Sequence, residues 1–229
     1  RPVGQQFGYV TDGFFSQEDV EKYAINKGTE GGIPDHNFSP KAGDVKYRDL
    51  NGDYKIDDKD VAAIGYPKYP LLTGNMSLGF SWNGLDFSMV WSGAFKTSRL
   101  VSSFYRVPFD TTNNRALLSY MIKDAWTPEK GNSSTAPAIS FGASKANNYK
   151  DSDLWLRDAS YVRLKNIELG YSFPKQLVKK MHLGTLRLSV SGYNLLTFDD
   201  MGFCDPESNP DGQAYPLIKV VNFGLKVGF

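Results

Sequence analysis

A run of acidic and amide residues near position 50 has the spacing of a cation-binding loop. Side-chain oxygens recur at relative positions 1, 3, 5, 9 and 12 of this run, and a main-chain carbonyl falls at position 7. An EF-hand-type loop surrounds Ca²⁺ with oxygen ligands at these same positions. The sequence therefore predicts a structural calcium ion that orders a loop. Its candidate ligands are Asp49, Asn51, Asp53, Lys55 (through its carbonyl), Asp57 and Asp60.

Two positions of this loop depart from the calcium-binding pattern. Tyr54 stands where the sharp turn usually needs glycine, and Asp60 replaces the longer glutamate that binds the ion through both oxygens. The alternative interpretation is a surface turn rich in aspartate and asparagine, whose side chains accept hydrogen bonds from its own backbone. Calorimetric titration separates the two interpretations, because only the first predicts that the loop binds Ca²⁺.

Motifs for catalysis are missing from the sequence. The two histidines, His36 and His182, are far apart and belong to no metal-binding signature, and there is no phosphate loop or nucleophile elbow. The single cysteine, Cys204, has no second cysteine with which to form an intrachain disulfide. A formal net charge of +1 gives no reason to expect nucleic acid as a partner. We therefore expect a protein that is not an enzyme.

Aromatic side chains recur in the long segments between the predicted strands described below. Rings on loops can stack on sugars or dock a partner protein, although any one of them is as well explained by packing between loops. As a group they predict a surface that contacts a ligand or a partner. The rings are Phe104, Tyr105, Trp126, Tyr149 and Trp155.

The final stretch of the sequence, 217–229, has the alternation of a β-strand. Side chains two residues apart lie on the same face of a strand, so its apolar residues share one face and small or polar residues share the other. We predict that this strand closes a barrel and that its aromatic end is a signal for assembly. The residues concerned are Phe223, Leu225, Val227 and Phe229.

The same period of two recurs along the chain and predicts further strands. Asn83-Gly84 favours a type I′ turn between two of them, because both residues tolerate a positive φ. Aromatic residues stand near the ends of the apolar faces, as they do at a membrane interface. The predicted strands cover 71–82, 85–95, 160–173 and 184–196, with a weaker candidate over 6–14.

Short and long connections alternate between these strands, and the long ones cover 15–70, 96–159 and 197–216. Outer-membrane barrels show this alternation, with short turns in the periplasm and long loops outside the cell. No run of roughly 18 apolar residues is present, which excludes a transmembrane helix but not strands that cross a membrane. The predicted fold is an all-β transmembrane antiparallel β-barrel with long extracellular loops. About six strands cannot close such a barrel, so we expect further strands before Arg1.

Several ordered motifs together resemble the C-terminal part of SusC/RagA-like TonB-dependent transporters of Bacteroidetes outer membranes. They include Gly43-Asp-Val-Lys-Tyr followed by Asp49-Leu-Asn-Gly-Asp53, and Trp126-Thr-Pro128. Tyr161-Val-Arg-Leu-Lys-Asn-Ile-Glu-Leu-Gly-Tyr171 and Gly192-Tyr-Asn-Leu-Leu-Thr-Phe198 complete the set with the closing aromatic strand. The resemblance runs from Pro2 to Phe229, and it is the order of the motifs that makes it specific.

This resemblance implies a 22-stranded barrel plugged by an N-terminal domain, in the outer membrane and in contact with its lipid. It implies a SusD-like surface lipoprotein as partner, energy from TonB-ExbB-ExbD, and import of oligosaccharides or peptides. Two alternatives stay open at this point. One is a barrel that acts as an adhesin or receptor without transport, and the other is a soluble calcium-dependent carbohydrate-binding β-sandwich.

Overall fold

The computed structural model describes residues 2–109, 116–202, 204–208, 215 and 217–229. Its described residues form two compact units. The first, called the loop unit below, is drawn from 2–69 and 98–157. The second, called the sheet unit, is drawn from 70–97, 158–208 and 215–229.

Strands make up most of the regular structure. In the loop unit they are β1 (Gln6–Tyr9), β2 (Thr11–Phe14), β3 (Val45–Tyr47) and β4 (Val61–Ile64). The next strands along the chain are β5 (Leu72–Trp82), β6 (Leu85–Phe95), β7 (Ser98–Leu100) and β8 (Leu156–Asp158). The last three are β9 (Tyr161–Ser172), β10 (Thr185–Asp199) and β11 (Val220–Gly228).

The helices are short. They are α1 (Gln17–Asn26), α2 (Ser103–Arg106), α3 (Ser119–Asp124), α4 (Gly142–Asn148) and α5 (Lys175–Lys180). Single 3₁₀ turns cover Asp58–Asp60, Gly131–Ser133 and Asp153–Trp155. Within the part of the chain that the structure describes, none of these helices has the length and apolarity needed to cross a membrane.

The sheet unit is built on one antiparallel sheet with the strand order β11-β10-β9-β6-β5. The turn between β5 and β6 has φ values of 48° at Asn83 and 85° at Gly84, as the type I′ prediction requires. Four strands begin and end within a few residues of the predicted bounds. The remaining strand of the five, β10, runs on to Asp199 instead of 196, because its pairing with β9 continues beyond a bulge after Tyr193.

The predicted strand over 6–14 is wrong as a member of this sheet. The segment is divided at Val10 into β1, which pairs with β4, and β2, which pairs with β3. Phe14 at its end is 5% exposed and packs in a small core with Val45, Tyr47 and Ile56. Burial of the Phe14 ring in the loop unit outweighs the weak alternation of 6–14. The large sheet therefore has five strands among the described residues, rather than the six predicted.

The predicted loops 15–70 and 96–159 hold much of the regular structure of the loop unit. Three two-stranded sheets, β1-β4, β2-β3 and β7-β8, lie in or at the edges of these segments. Helix α1 begins at a capping box, in which Ser16 and Asp19 each accept a hydrogen bond from the other's backbone N–H. Part of the predicted loop 197–216 lies outside the described residues.

Candidate functional site

The large sheet has two unlike faces, and this contrast is its main functional feature. Cross-strand pairs such as Leu78–Met89 and Leu188–Leu225 place apolar side chains together on one side, called the apolar face. Phe223 is 87% exposed and Leu225 66% exposed on this face. A continuous apolar surface of this kind is unfavourable in water and favourable against hydrocarbon.

The opposite side, called the polar face, carries small and polar residues and a cluster of charges. Arg187 on β10 reaches across β9 and donates from both Nη atoms to Asp86 on β6, with Nη2 2.7 Å from Oδ2. The same Nη2 lies 3.0 Å from Oε1 of Glu168 on β9. Two carboxylates therefore hold one guanidinium in a fixed orientation above the sheet.

Gly170 makes room for this cluster. It lies on β9 directly opposite Asp86, between β6, which carries Asp86, and β10, which carries Arg187. A Cβ atom at this position would stand 2.6 Å from Cζ of Arg187 and 2.8 Å from Oδ2 of Asp86. The absence of a side chain at Gly170 thus lets Arg187 lie flat against the sheet.

A second charged cluster fastens the segment after β10 to the sheet. Arg163 is wholly buried and donates to Glu207 at 2.7 Å, to Asp205, and through Nε to the Thr197 hydroxyl at 3.0 Å. The Tyr161 hydroxyl donates to the second oxygen of Glu207. The described part of this loop, residues 204–208, is therefore held on the sheet by buried Arg163 together with Tyr161.

The predicted calcium loop uses its carboxylates to hold its own backbone. The two oxygens of Asp49 accept hydrogen bonds from the N–H groups of Gly52 and Tyr54, each at 2.7 Å. Asp60 is buried and accepts from the N–H groups of Leu50 at 2.8 Å and Asp57 at 2.9 Å. These contacts form the self-bonded turn that was the alternative interpretation of the sequence.

The other candidate ligands are occupied in the same way. Asp53 accepts from Lys55 N–H at 3.0 Å and from the Asn51 amide at 2.9 Å, and Tyr54 takes the positive φ of 62° that the turn needs. In the described ranges, no group of three or more His, Cys, Asp or Glu side chains is placed to hold a metal ion. Calcium binding by this loop stays a prediction from the spacing.

The five loop rings predicted to contact a ligand or partner are at least partly buried. Trp155 is only 4% exposed and donates its indole N–H to the Asn148 carbonyl at 2.9 Å, so this ring packs inside the loop unit. Tyr149 lies against it with ring centroids 5.4 Å apart. Phe104 and Tyr105 contact each other edge to face at 5.1 Å, and Trp126 packs against the small core. A role for these rings in ligand binding stays a prediction.

The predicted closure residues lie where the alternation places them. Phe223, Leu225 and Val227 on β11 are paired with apolar residues of β10 on the same face. Phe229 is 99% exposed beyond the end of β11. Within the described residues β11 pairs with β10 alone, which leaves its other edge without a strand. Their part in barrel closure and assembly stays a prediction.

His36, which belongs to no motif in the sequence, holds the centre of the loop unit. Its Nε2 accepts from Tyr47 N–H at 3.0 Å and its Nδ1 donates to the Pro34 carbonyl at 2.8 Å, an arrangement that only the neutral ring can make. Burial lowers the pKa of this histidine to about 4. The role is structural, because both ring nitrogens are used.

The two arginine clusters are the features that sequence reasoning missed. Arg187 and Asp86 are 101 residues apart, and Arg163 and Glu207 are 44 apart. Alternation predicts the position of Arg187 on the polar face, and a charged residue on that side of a predicted strand was the available signal. Arg163 has the parity of apolar Ile167 and reaches the polar face only because the register of β9 shifts between Asn166 and Leu164. Which acid meets which arginine depends on strand order.

The chain is similar over almost its whole length to proteins named TonB-dependent receptors, although no protein-family model matches it. It is 27% identical over 241 residues to TonB-dependent receptor P3 of Formosa agariphila, covering 97% of this chain and 22% of that protein. It is 25% identical over 225 residues to TonB-dependent receptor SusC of Bacteroides thetaiotaomicron, covering 97% of this chain and 20% of that protein. The chain thus spans about a fifth of the length of the curated relatives it matches.

A solved structure has the same fold over the same extent. The RagAB peptide importer in its open-open state superposes with a TM-score of 0.64 at 20% identity, covering 98% of this chain and 22% of that one. The predicted resemblance to SusC/RagA-like TonB-dependent transporters is confirmed by these similarities. The strand-rich fold is likewise that of transporter barrels. The 22-stranded plugged barrel stays a prediction.

Proposed function

We propose that this chain forms part of the wall of an outer-membrane barrel that imports nutrients with energy from TonB. The observation that carries the proposal is the five-stranded sheet with one apolar and one polar face. In a membrane barrel the apolar face meets lipid and the polar face lines the lumen. The similarity to TonB-dependent receptors supports transport as the activity of such a wall.

The loop unit belongs outside the cell in this proposal. Outer-membrane barrels have short periplasmic turns and long extracellular loops, so the Asn83-Gly84 turn is assigned to the periplasm and the segments 15–70 and 96–159 to the outside. A SusD-like surface lipoprotein is the partner that we expect there, because SusC and the RagAB importer are among the similar proteins. TonB-ExbB-ExbD is the proposed source of energy.

Oligosaccharides or peptides are the proposed substrates. The comparisons do not select one class of substrate. The solved structures are of a peptide importer, whereas the name of TonB-dependent receptor SusC gives no substrate. The polar face offers hydroxyls, amides and the Arg187 cluster to a passing solute, groups that suit either class. The polar face is therefore suited to a polar solute, and it does not distinguish a sugar from a peptide.

Cell fractionation tests the location, and uptake tests the activity. We expect the protein only in the outer-membrane fraction that dissolves in detergent; recovery from the aqueous fraction would contradict the proposal. A strain without the protein should lose uptake of either labelled oligosaccharides or labelled peptides, and a strain without TonB should lose the same uptake. Normal uptake in both strains, with the protein in the membrane, would favour an adhesin or receptor instead.

A further inference from the structure

A cavity of about 310 Å³ lies between α5, the end of β9 and the beginning of β10. Ser172, Thr185 and Arg187 line it from the strands, Lys226 lines it from β11, and Lys175 lines it from the helix. The strand residues among them share the polar face, because Arg187 is opposite both Ser172 and Lys226 in register. The cavity is therefore a feature of the polar face at one end of the wall.

The cations around this cavity are unequally compensated. Asp86 and Glu168 both pair with Arg187, on the side of β10 away from β11. Lys175 and Lys226 have no carboxylate within ion-pair distance among the described residues. The cavity thus has two free ammonium groups beside one neutralised guanidinium.

Lys226 stands directly opposite Arg187 in the β10–β11 ladder. Because Asp86 and Glu168 both pair with Arg187, these carboxylates are engaged on the other side of β10. An anion between Lys226 and Lys175 would give each lysine an ion-pair partner in the cavity.

The rest of the lining also suits an anion. It contains no aspartate or glutamate, and the Ser172 and Thr185 hydroxyls can each donate a hydrogen bond to an oxyanion. Val178, 1% exposed, and Phe173 give the cavity an apolar side. A ligand with one charged oxygen-bearing end and a partly apolar body fits this combination.

We propose that this cavity is a binding site for an oxyanion, a carboxylate or a phosphate, held by Lys175 and Lys226. The hydroxyls of Ser172 and Thr185 complete the site, and the pairing of Arg187 with its two acids keeps that guanidinium in place beside it. The site depends on the sheet and α5 alone, so it stands or fails separately from nutrient import.

Protection of lysines from acetylation tests the site. The detergent-solubilised protein is treated with a lysine-acetylating reagent while inorganic phosphate or glutarate is titrated in, and each lysine is followed by mass spectrometry. We expect Lys175 and Lys226 to become protected by at least one probe, while Lys179 on the same helix reacts as before. Protection by phosphate alone or by glutarate alone identifies the class of oxyanion, and protection by neither overturns the proposal.

Charge-removing variants give the matched control. Lys226→Gln should weaken binding of the protecting probe about tenfold, the value of one charge-assisted hydrogen bond, and Lys175→Gln should do the same. Lys179→Gln removes the same charge outside the cavity and should leave the affinity unchanged. Equal weakening in all three variants would reduce the effect to general electrostatics and overturn the site.

Discussion

At the scale of single residues, buried groups with fixed partners set the conditions under which this protein is stable. His36 shows this for pH. It is neutral in the folded loop unit, where its pKa is about 4, whereas an unfolded histidine has a pKa near 6.5. Above about pH 6.5 both states are neutral and the histidine brings no penalty.

We predict that the loop unit loses stability as the pH falls from about 6.5 to about 4. The unfolded chain binds a proton in this range and the folded one does not, which costs about 3 kcal/mol at the lower end. Urea unfolding at several pH values measures this loss, followed by Trp155 fluorescence in a background in which the other three tryptophans are phenylalanine. His36→Gln should flatten the dependence in this window, and His182→Gln, at an exposed position, should not. An unchanged profile in His36→Gln would show that other groups cause the loss.

Arg163 is the residue whose loss should most affect the segment after β10. Its side chain is 1% exposed and compensates Asp205 and Glu207, which are 16% and 31% exposed. We predict that Arg163→Met costs about 2–3 kcal/mol, because two partly buried carboxylates lose their partner. It should also make residues 204–208 sensitive to limited proteolysis.

Lys165→Met is the matched control for Arg163→Met. Lys165 also pairs with Glu207, at 3.3 Å, but is 45% exposed, and an exposed pair contributes little. Thermal unfolding in detergent compares the two variants. Equal losses of stability would contradict a special role for the buried arginine.

At the scale of elements, the face on which a strand residue lies decides the effect of a charge. Leu225 and Asn222 belong to the same strand, β11, but to opposite faces. We predict that Leu225→Arg costs about 2–4 kcal/mol in a bilayer, because it places a charge against lipid. Asn222→Arg adds the same charge to the polar face and should cost much less. Urea titration of the bilayer-inserted protein measures both; similar costs would mean that the apolar face does not meet lipid.

At the scale of the whole molecule, the proposal requires that tryptophans of the two units meet different surroundings. Trp82 and Trp91 lie on the apolar face of the sheet, whereas Trp126 and Trp155 belong to the loop unit. These are the four tryptophans of the chain, so fluorescence can tell the groups apart. In bilayers of brominated lipid we predict strong quenching in the unchanged protein.

Most of this quenching should disappear in the double variant Trp82→Phe, Trp91→Phe. Trp126→Phe serves as the control and should leave the quenched fraction of Trp82 and Trp91 as it was. Quenching that survives the double variant would place the loop unit, rather than the apolar face, in contact with lipid. That outcome would contradict the proposed arrangement of wall and loops.

The sequence by itself determined the large sheet and its faces. Period-two alternation and Asn83-Gly84 are local signals, and because a strand's side chains point alternately to two sides, they specify both the strands and the apolar face. The ordered motifs from Gly43 to Phe198 also identified the resemblance that the relatives confirm. These features need no knowledge of which strand lies beside which.

Only the tertiary structure decided the rest, because the remaining features depend on pairing between distant segments. Because Phe14 is buried in the small core of the loop unit, 6–14 is not a strand of the large sheet. The strand order β10-β9-β6 places Arg187 within hydrogen-bond distance of Asp86. In the loop that begins at Asp49, ligand spacing is compatible with both calcium and a self-bonded turn, since the same oxygens can accept a cation or a backbone N–H. In the folded loop the Asp49 oxygens accept hydrogen bonds from backbone N–H groups, and the spacing of the residues alone does not specify these contacts.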